Sequence, residues 1–247
     1  MKNYKITVQY DGTKYNGWQR QGNTKNTIQE KFENVLSEMC GRKTEIFASG
    51  RTDAGVHAMA QVANFKCETE MTAEEIRRYL NRYLPEDVRV MEIAEAHERF
   101  HSRLNAVSKT YEYRIATEKP DVFLRKYVYY EEKVPDVEKM RSASKLLLGT
   151  HDFIGFSSLK KTKKSTVRTI TDITITEQNG IIALRFTGNG FLYNMVRILA
   201  GTLYEIGTGA LKEDIIPRVL EEKIREEAGT TFPARGLHLV KVEYKSE

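Results

Sequence analysis

The sequence predicts an α+β protein made of two ferredoxin-like βαββαβ halves whose sheets join in one antiparallel surface. Two observations lead to this prediction. The first half of the chain follows the order strand, helix, two strands, helix, strand, and the same order starts again after residue 105. No Pro- or Ser-rich linker separates the halves, and we place the domains at residues 1–105 and 106–247 only because the pattern restarts there. A cleft between two such halves is a natural place for a ligand.

The first half opens with a strand. Residues 4–10 alternate between apolar and polar side chains and stop at Asp11-Gly12, a turn signal. Thr27 with Glu30 three residues later is a capping pattern and predicts the start of a helix with an apolar stripe at Ile28, Phe32, Val35, Leu36 and Met39. The remaining elements are short strands at 44–47 and 60–65, a helix from Thr72 that ends at Pro85, and a strand from Val88.

The second half repeats the order with different side chains. Residues 109–115 alternate as a strand. The later elements are a helix at 137–148 ending at Gly149, a hairpin of strands 169–176 and 181–186, a strongly apolar helix at 191–206 and a closing strand at 237–242.

The composition is that of a globular protein, with 40% hydrophobic and 30% charged residues. No stretch approaches the roughly 18 apolar residues of a membrane span, and no signal peptide precedes the first strand. We therefore expect a cytoplasmic protein. Cys40 and Cys67 are too far apart in sequence for a CxxC motif, and we expect two free thiols that pack as small apolar residues.

The charge permits a polyanionic partner without requiring one. The net charge is +5 and the pI is about 9.0. Basic residues crowd one short segment, at Lys160, Lys161, Lys163, Lys164 and Arg168. From charge alone, a nucleic-acid contact and an ordinary solvated loop remain equally open for this basic segment.

The segment from Gly50 to Ala58 combines two glycines with small and polar residues, which is typical of a tight loop. Such loops often present reactive side chains, and Asp53 is the candidate here. Judged by the pattern alone, a structural turn in which Asp53 bonds its own backbone is the favoured interpretation.

The sequence of this loop, GRTDAGVHA, with QVANF at 61–65, resembles the signature of the TruA family of tRNA pseudouridine synthases. Other motifs of that family match in order along essentially the whole chain: YDGTKYNGWQRQ at 10–21, FHSR at 100–103, KTYEY at 109–113, HDF at 151–153, RTI at 168–170, FLYNMVR at 191–197 and PARGL at 233–237.

The resemblance implies an enzyme with an RNA-binding cleft that isomerises uridine to pseudouridine at positions 38, 39 and 40 of the tRNA anticodon stem-loop. It assigns Asp53 as the catalytic carboxylate, which could act as a nucleophile on the sugar or base, or as a base. The reaction needs no redox change or added group, so we expect no cofactor. The resemblance also suggests a homodimer.

Three further residues receive roles from the resemblance. Arg197 matches the arginine that pairs with the catalytic carboxylate; the alternative is a side chain that extends to the surface. Arg51 could open the RNA or hold a phosphate, or be a loop charge. Tyr111 would stack on the target base, or merely pack in its strand. The basic segment from Lys160 to Arg168 would grip the tRNA.

Two other functions are compatible with parts of the sequence. His97-Glu98-Arg99-Phe100-His101 fits the H-E-x-x-H pattern of zinc hydrolases, provided that the segment is helical, but no third ligand follows at a familiar spacing. An RNA-binding module without catalysis is the second alternative, because ferredoxin-like units often bind RNA.

Overall fold

A computed structural model describes residues 1–160 and 163–245. Within them the fold is mixed α/β: strands outnumber helices and pair mainly in antiparallel directions, which confirms this part of the predicted fold class. The chain forms two compact units. Unit 1 comprises Met1–Val107 and the C-terminal segment from His238, and unit 2 comprises Ser108–Leu237. No helix in the described ranges has the length and apolar character of a membrane span.

The helices and strands of unit 1 are β1 (Lys2–Tyr10), α1 (Ile28–Cys40), β2 (Ile46–Ala48), β3 (His57–Cys67), α2 (Ala73–Tyr83) and β4 (Val88–Ala96). The elements that follow along the chain lie mainly in unit 2: β5 (Ala106–Ala116), β6 (Tyr129–Tyr130), α3 (Val137–Ser144), β7 (Gly149–Asp152), β8 (Val167–Gln178), β9 (Ile181–Gly188), α4 (Met195–Gly207) and α5 (Ile215–Glu222). The last strand, β10 (Leu237–Tyr244), returns to unit 1 from His238 onward.

The sheet of unit 1 has the strand order β4-β1-β3-β2, and all of these neighbours are antiparallel. β10 runs parallel to β3 and pairs His238 with His57. Both helices begin at the predicted caps: the Thr27 side chain accepts the Glu30 N–H, and Thr72 forms a reciprocal capping box with Glu75. The predicted apolar stripe of α1 is buried from Ile28 to Leu36, with Phe32 and Leu36 fully enclosed, whereas Met39 is half-buried.

The sheet of unit 2 places β9 between β5 and β8, and β7 beside β8, and these neighbours are antiparallel. The short strand β6 pairs with β5 in parallel. The predicted apolar helix begins at Met195, four residues later than expected, because Asn194 has a left-handed backbone (φ 61°) that interrupts helical geometry. The helix α5 was not predicted. Its eight residues carry too short an apolar pattern, and Pro217 stands in its first turn.

The two cysteines are joined in a disulfide, so the prediction of free thiols was wrong. Cys40 ends α1 and Cys67 ends β3, and their Cα atoms lie 6.1 Å apart. Sequence separation was a poor guide because the fold brings the ends of a helix and a strand together across 27 residues. The bond also shows which face of the unit 1 sheet α1 covers, namely the face to which Cys67 points.

Two glycines let the chain after β1 lie directly against the loop between β2 and β3. A Cβ atom on Gly12 would lie 2.0 Å from the carbonyl oxygen of Val56, and one on Gly17 would lie 2.6 Å from that of Thr52. Gly17 also has φ +87°, which L side chains rarely adopt. The backbone around Asp53 is thus supported by a segment that tolerates no side chain at these points.

In unit 2 a buried carboxylate bridges two strands. Glu112 of β5, 3% exposed, stands opposite Arg185 of β9 and accepts hydrogen bonds from Arg185 and, at 2.6 Å, from Arg114. Burial raises the pKa of Glu112, but the hydrogen bonds from both arginines outweigh this effect, and its pKa lies below the ordinary 4.5. The ionised form therefore stabilises the fold above that pH.

Substituting Gly17→Ala should lower the free energy of unfolding by about 2 kcal/mol or more, because the methyl group meets the Thr52 carbonyl in a strained backbone. Gly22→Ala is the control: a Cβ there meets nothing within 4 Å, and the change should stay within about 0.5 kcal/mol. Urea unfolding measures both. Equal stability of the two variants would show that the close approach is not rigid.

Substituting Glu112→Gln should lower the free energy of unfolding at pH 7 by about 1–3 kcal/mol, because two charge-assisted hydrogen bonds are lost. The difference from the parent protein should shrink as the pH falls below about 4.5, where protonation removes the same charge from the parent. Glu177→Gln, an exposed carboxylate on β8, is the matched control. A difference that persists unchanged at pH 3 would contradict the ionic explanation.

Candidate active site

The loop between β2 and β3 places Asp53 at its centre, half-buried. The Asp53 carbonyl accepts the Val56 N–H at 3.1 Å and closes a tight turn in which Gly55 has φ +79°. The start of the loop is fixed to β3: the Ser49 hydroxyl donates to Gln61 at 2.7 Å, and the Gln61 amide donates to the Gly50 carbonyl at 3.0 Å. Both ends of the loop are therefore tied down.

The residues on either side of Asp53 are held by the chain that follows β1. The Trp18 N–H donates to the Thr52 carbonyl at 3.0 Å, and the Gly55 N–H donates to the Tyr15 carbonyl at 3.2 Å. The buried hydroxyls of Tyr10 and Thr52 lie 2.8 Å apart, and burial raises the pKa of Tyr10 to about 12, so it stays a neutral partner. These contacts fix the direction in which the Asp53 side chain leaves the backbone.

His57 closes the loop and was not assigned a role from the sequence. It is buried and its ring stacks on that of His238, with centroids 4.9 Å apart. Its Nδ1 lies 3.1 Å from the Gly12 N–H and 3.2 Å from an oxygen of Asp11. One nitrogen cannot accept from Gly12 and donate to Asp11 at once. Both contacts tie the His57 ring to the chain that follows β1, so His57 braces the end of the loop.

Arg51 lies on the exposed side of the same loop. In the described ranges its guanidinium has no hydrogen bond or ion pair with another side chain or carbonyl. Its five N–H donors are therefore available to an anion that approaches the loop. An arginine this close to Asp53 in sequence adds positive charge beside the carboxylate.

In unit 2, Tyr111 lies on β5 and is 8% exposed. Its ring meets Phe191 edge to face, with centroids 5.3 Å apart. Tyr113, two residues on, is fully buried and its hydroxyl donates to the Pro233 carbonyl at 2.7 Å. Tyr113 therefore packs within unit 2.

Arg197 in the first turn of α4 is half-buried and fixed by two hydrogen bonds. Its Nε donates to the Phe232 carbonyl at 2.5 Å, and Nη1 donates to the Asn194 amide oxygen at 2.7 Å. Asn194 in turn donates to the Ser158 hydroxyl at 3.0 Å. The side chain is therefore not simply extended to the surface, and three of its five donors remain beyond these two bonds.

Asn194 and the Phe232 carbonyl were not singled out from the sequence as supports of Arg197. The signal for Asn194 was present, since asparagine is one of the few residues that adopts a left-handed backbone before a helix. The Phe232 contact spans 35 residues, and no local pattern indicates it.

The predicted RNA-contacting segment divides into two kinds of residue. Lys160, Lys163 and Lys164 are exposed, whereas Lys161 lies outside the described residues. Arg168 is half-buried and donates to two backbone carbonyls, at 2.9 Å to Ser165 and 2.6 Å to Val167. Burial lowers the pKa of Arg168. Its first role is to brace the start of β8.

The H-E-x-x-H pattern does not form a helix. His97 to His101 lie in turns between β4 and β5. Nδ1 of His97 accepts the Arg99 N–H, and Nδ1 of His101 accepts the Arg103 N–H, each at 3.2 Å. In the described part of the chain, no group of three or more potential ligands is placed to hold a metal ion. The geometry on which the zinc-hydrolase hypothesis depended is not present.

The whole chain is similar to known tRNA-modifying enzymes. The model of a tRNA pseudouridine synthase family matches residues 6–105 and 143–245. The chain is 51% identical over 245 residues to tRNA pseudouridine synthase A of Bacillus sp. (strain KSM-64), 46% to tRNA pseudouridine synthase A 2 of Bacillus anthracis and 42% to tRNA pseudouridine synthase A of Acetivibrio thermocellus. Each alignment covers 99% of this chain and 100% of the relative. Because the match spans both units, the chain belongs to the tRNA pseudouridine synthase family.

Proposed function

We propose that this chain isomerises uridine to pseudouridine at positions 38, 39 and 40 of the tRNA anticodon stem-loop, with Asp53 as the catalytic carboxylate. Membership in the family makes the chain an isomerase that acts on tRNA. The observation that carries the finer proposal is the position of Asp53, at the centre of a loop whose flanking residues are held by Trp18 and Tyr15. Such a loop presents a reactive group in one fixed direction.

The reaction suits a carboxylate without a cofactor. The bond between N1 of the base and the ribose breaks, the base turns, and C5 bonds to the ribose; a proton leaves C5 and N1 gains one. Atoms and electrons balance within the nucleoside, so no oxidant or reductant is needed. Asp53 can attack the sugar or the base, or take up the proton, and each role requires the ionised form.

Arg197 is proposed as the cation that keeps Asp53 ionised. A nearby guanidinium favours the charged form of a carboxylate that has lost water. This proposal is supported by the position of Arg197, which donates to the Phe232 carbonyl and to Asn194 and has three further N–H donors for a carboxylate. Asp53 belongs to unit 1 and Arg197 to unit 2, and their pairing is part of the proposal.

The other candidate residues are proposed to bind the RNA. A uridine in a paired stem must be flipped out, which costs a few kcal/mol. Arg51 is the candidate to open the stem or hold a phosphate, and Tyr111 to stack on the flipped base. Phosphate contacts offset the cost, and the candidates are Lys160, Lys161, Lys163, Lys164 and Arg168.

We further infer two ferredoxin-like halves, residues 1–105 and 106–247, that share an antiparallel sheet and form an RNA-binding cleft. The order β4-β1-β3-β2 in unit 1 supports this, as does the antiparallel trio of β5, β9 and β8 in unit 2. A homodimer in the cytoplasm is part of the same proposal, since tRNA is the substrate. Sedimentation that gives only the 28.5 kDa species would refute the dimer.

Asp53→Asn should abolish pseudouridine formation while tRNA binding stays within about threefold, because the amide keeps the shape but cannot act as nucleophile or base. Mass mapping of pseudouridine in tRNA should show positions 38, 39 and 40 modified by the parent protein. Asp172→Asn, an exposed carboxylate on β8, is the control and should remain fully active. A parent protein that binds tRNA and never converts uridine would instead be a binding module.

Tyr111→Phe should keep most of the tRNA affinity, because the ring that stacks on the base is retained. If the hydroxyl moves a proton, kcat should fall about 10²-fold or more in multiple-turnover assays at saturating tRNA. Tyr130→Phe, at an exposed position on β6, controls for loss of a tyrosine hydroxyl and should leave kcat unchanged. Unchanged kcat in Tyr111→Phe would limit this side chain to stacking.

A further inference from the structure

A groove of about 520 Å³ lies on unit 1, outside the loop that carries Asp53. Its lining includes an aromatic pair and four cationic side chains, namely Phe47, His101, Arg42, Lys43, Lys66 and Arg99. We call it the Phe47–His101 groove. Its size falls within the range of about 300–1,000 Å³ that is usual for ligand pockets.

The groove lies on the sheet face opposite α1. Residues paired across antiparallel strands point to one face, so Phe47 and Asn64 share a face, and Ile46 and Phe65 share the other. Cys67 follows Phe65 by two residues and is bonded to Cys40 of α1, which places α1 on the side of Ile46 and Phe65. Phe47, Asn64 and Lys66 therefore face away from α1.

The aromatic pair is fixed by local hydrogen bonds. The rings of Phe47 and His101 lie 5.2 Å apart at 41°, and Phe47 is 43% exposed. The Ser102 hydroxyl donates to the Phe47 carbonyl, and the Ser102 N–H donates to Asn64 at 2.9 Å. Because Nδ1 of His101 accepts the Arg103 N–H, its proton is on Nε2. The groove thus offers a stacking surface held by hydrogen bonds, together with the Nε2–H donor of His101.

The cations of the groove are not neutralised by the protein. In the described ranges Arg42, Lys43, Lys66 and Arg99 form no ion pair, and all four are exposed. Two carboxylates, Glu45 and Glu98, also line the groove. Four cations against two carboxylates leave a local excess of positive charge around exposed aromatic rings. This combination fits the phosphates and bases of a single nucleic-acid strand.

The groove and the loop that carries Asp53 are close along the sequence. Phe47 precedes Asp53 by six residues, so the two lie within about 22 Å even if the chain were extended. A tRNA that delivers a uridine to Asp53 can therefore extend over this groove.

We propose that the Phe47–His101 groove is a further tRNA-binding site that holds an unpaired nucleotide outside the target position. The base stacks on Phe47, and the neighbouring phosphates bind Lys66 and Arg99. This inference rests on the proposed function for its substrate, but it can be tested by binding alone, without any conversion of uridine.

The charge test compares two double variants in the Asp53→Asn protein, which does not turn over. Lys66→Gln with Arg99→Gln should weaken tRNA binding at least tenfold at low salt. It should also lower the slope of log K against log salt by about 1.4–1.8, the effect of two lost phosphate contacts. Arg78→Gln with Arg82→Gln removes the same charge from the exposed side of α2 and should have little effect. Equal weakening by both pairs would overturn the groove as a specific site.

The stacking test uses Phe47→Ala and Phe47→Trp in the same protein. Loss of the ring should weaken tRNA binding about tenfold, and tryptophan should restore it. Thermal unfolding of each variant checks that the edge strand is intact. If Phe47→Ala binds tRNA as the parent does, the proposal fails, and an acidic protein partner becomes the better occupant.

The two proposals fail separately. Groove variants that weaken tRNA binding support the groove even if mass mapping finds no pseudouridine at positions 38–40. Groove variants with unchanged binding refute it even if the parent protein modifies all three positions.

Discussion

The structure around the candidate site depends on the close approach of two backbone segments. The chain after β1 touches the Asp53 loop where Gly12 and Gly17 leave no room for a side chain. That approach lets Trp18 and Tyr15 bond the backbone on both sides of Asp53, and it brings the Gly12 N–H to His57. Without it, the aspartate would stand on an unsupported turn. Under the proposed function, this support holds the Asp53 carboxylate in one position relative to the bound nucleoside.

Local sequence signals predicted the local structure well. The caps at Thr27 and Thr72 place both helices of unit 1 within a residue, because a hydroxyl followed three residues later by glutamate satisfies free N–H groups wherever it occurs. Non-local features escaped prediction. The Cys40–Cys67 bond depends on where α1 and β3 end in space, and α5 is too short for periodicity to identify.

The same distinction applies to the candidate site. Asp53 and Arg197 were found through motifs, but what holds them was not. Arg197 bonds a carbonyl 35 residues away, and His57 stacks on a residue from the last strand. These supports involve backbone atoms and buried rings, which leave little trace in composition or spacing. The motifs pointed to the candidate residues, whereas the long-range contacts that hold them are visible only in the fold.

The net charge says little about where RNA can bind, because many cationic side chains already bond to other groups of the protein. Arg114 and Arg185 neutralise Glu112, and Arg168 donates to two carbonyls. A phosphate that binds Arg114 or Arg185 competes with Glu112 for the same charge, and one nitrogen of Arg168 is already engaged, so these side chains offer a phosphate less than an unpaired cation does. Cations without an internal partner face no such competition, and Lys66 and Arg99 are of this kind in the described ranges. The relevant quantity is therefore the unpaired positive charge of a surface, and the Phe47–His101 groove combines it with exposed aromatic rings.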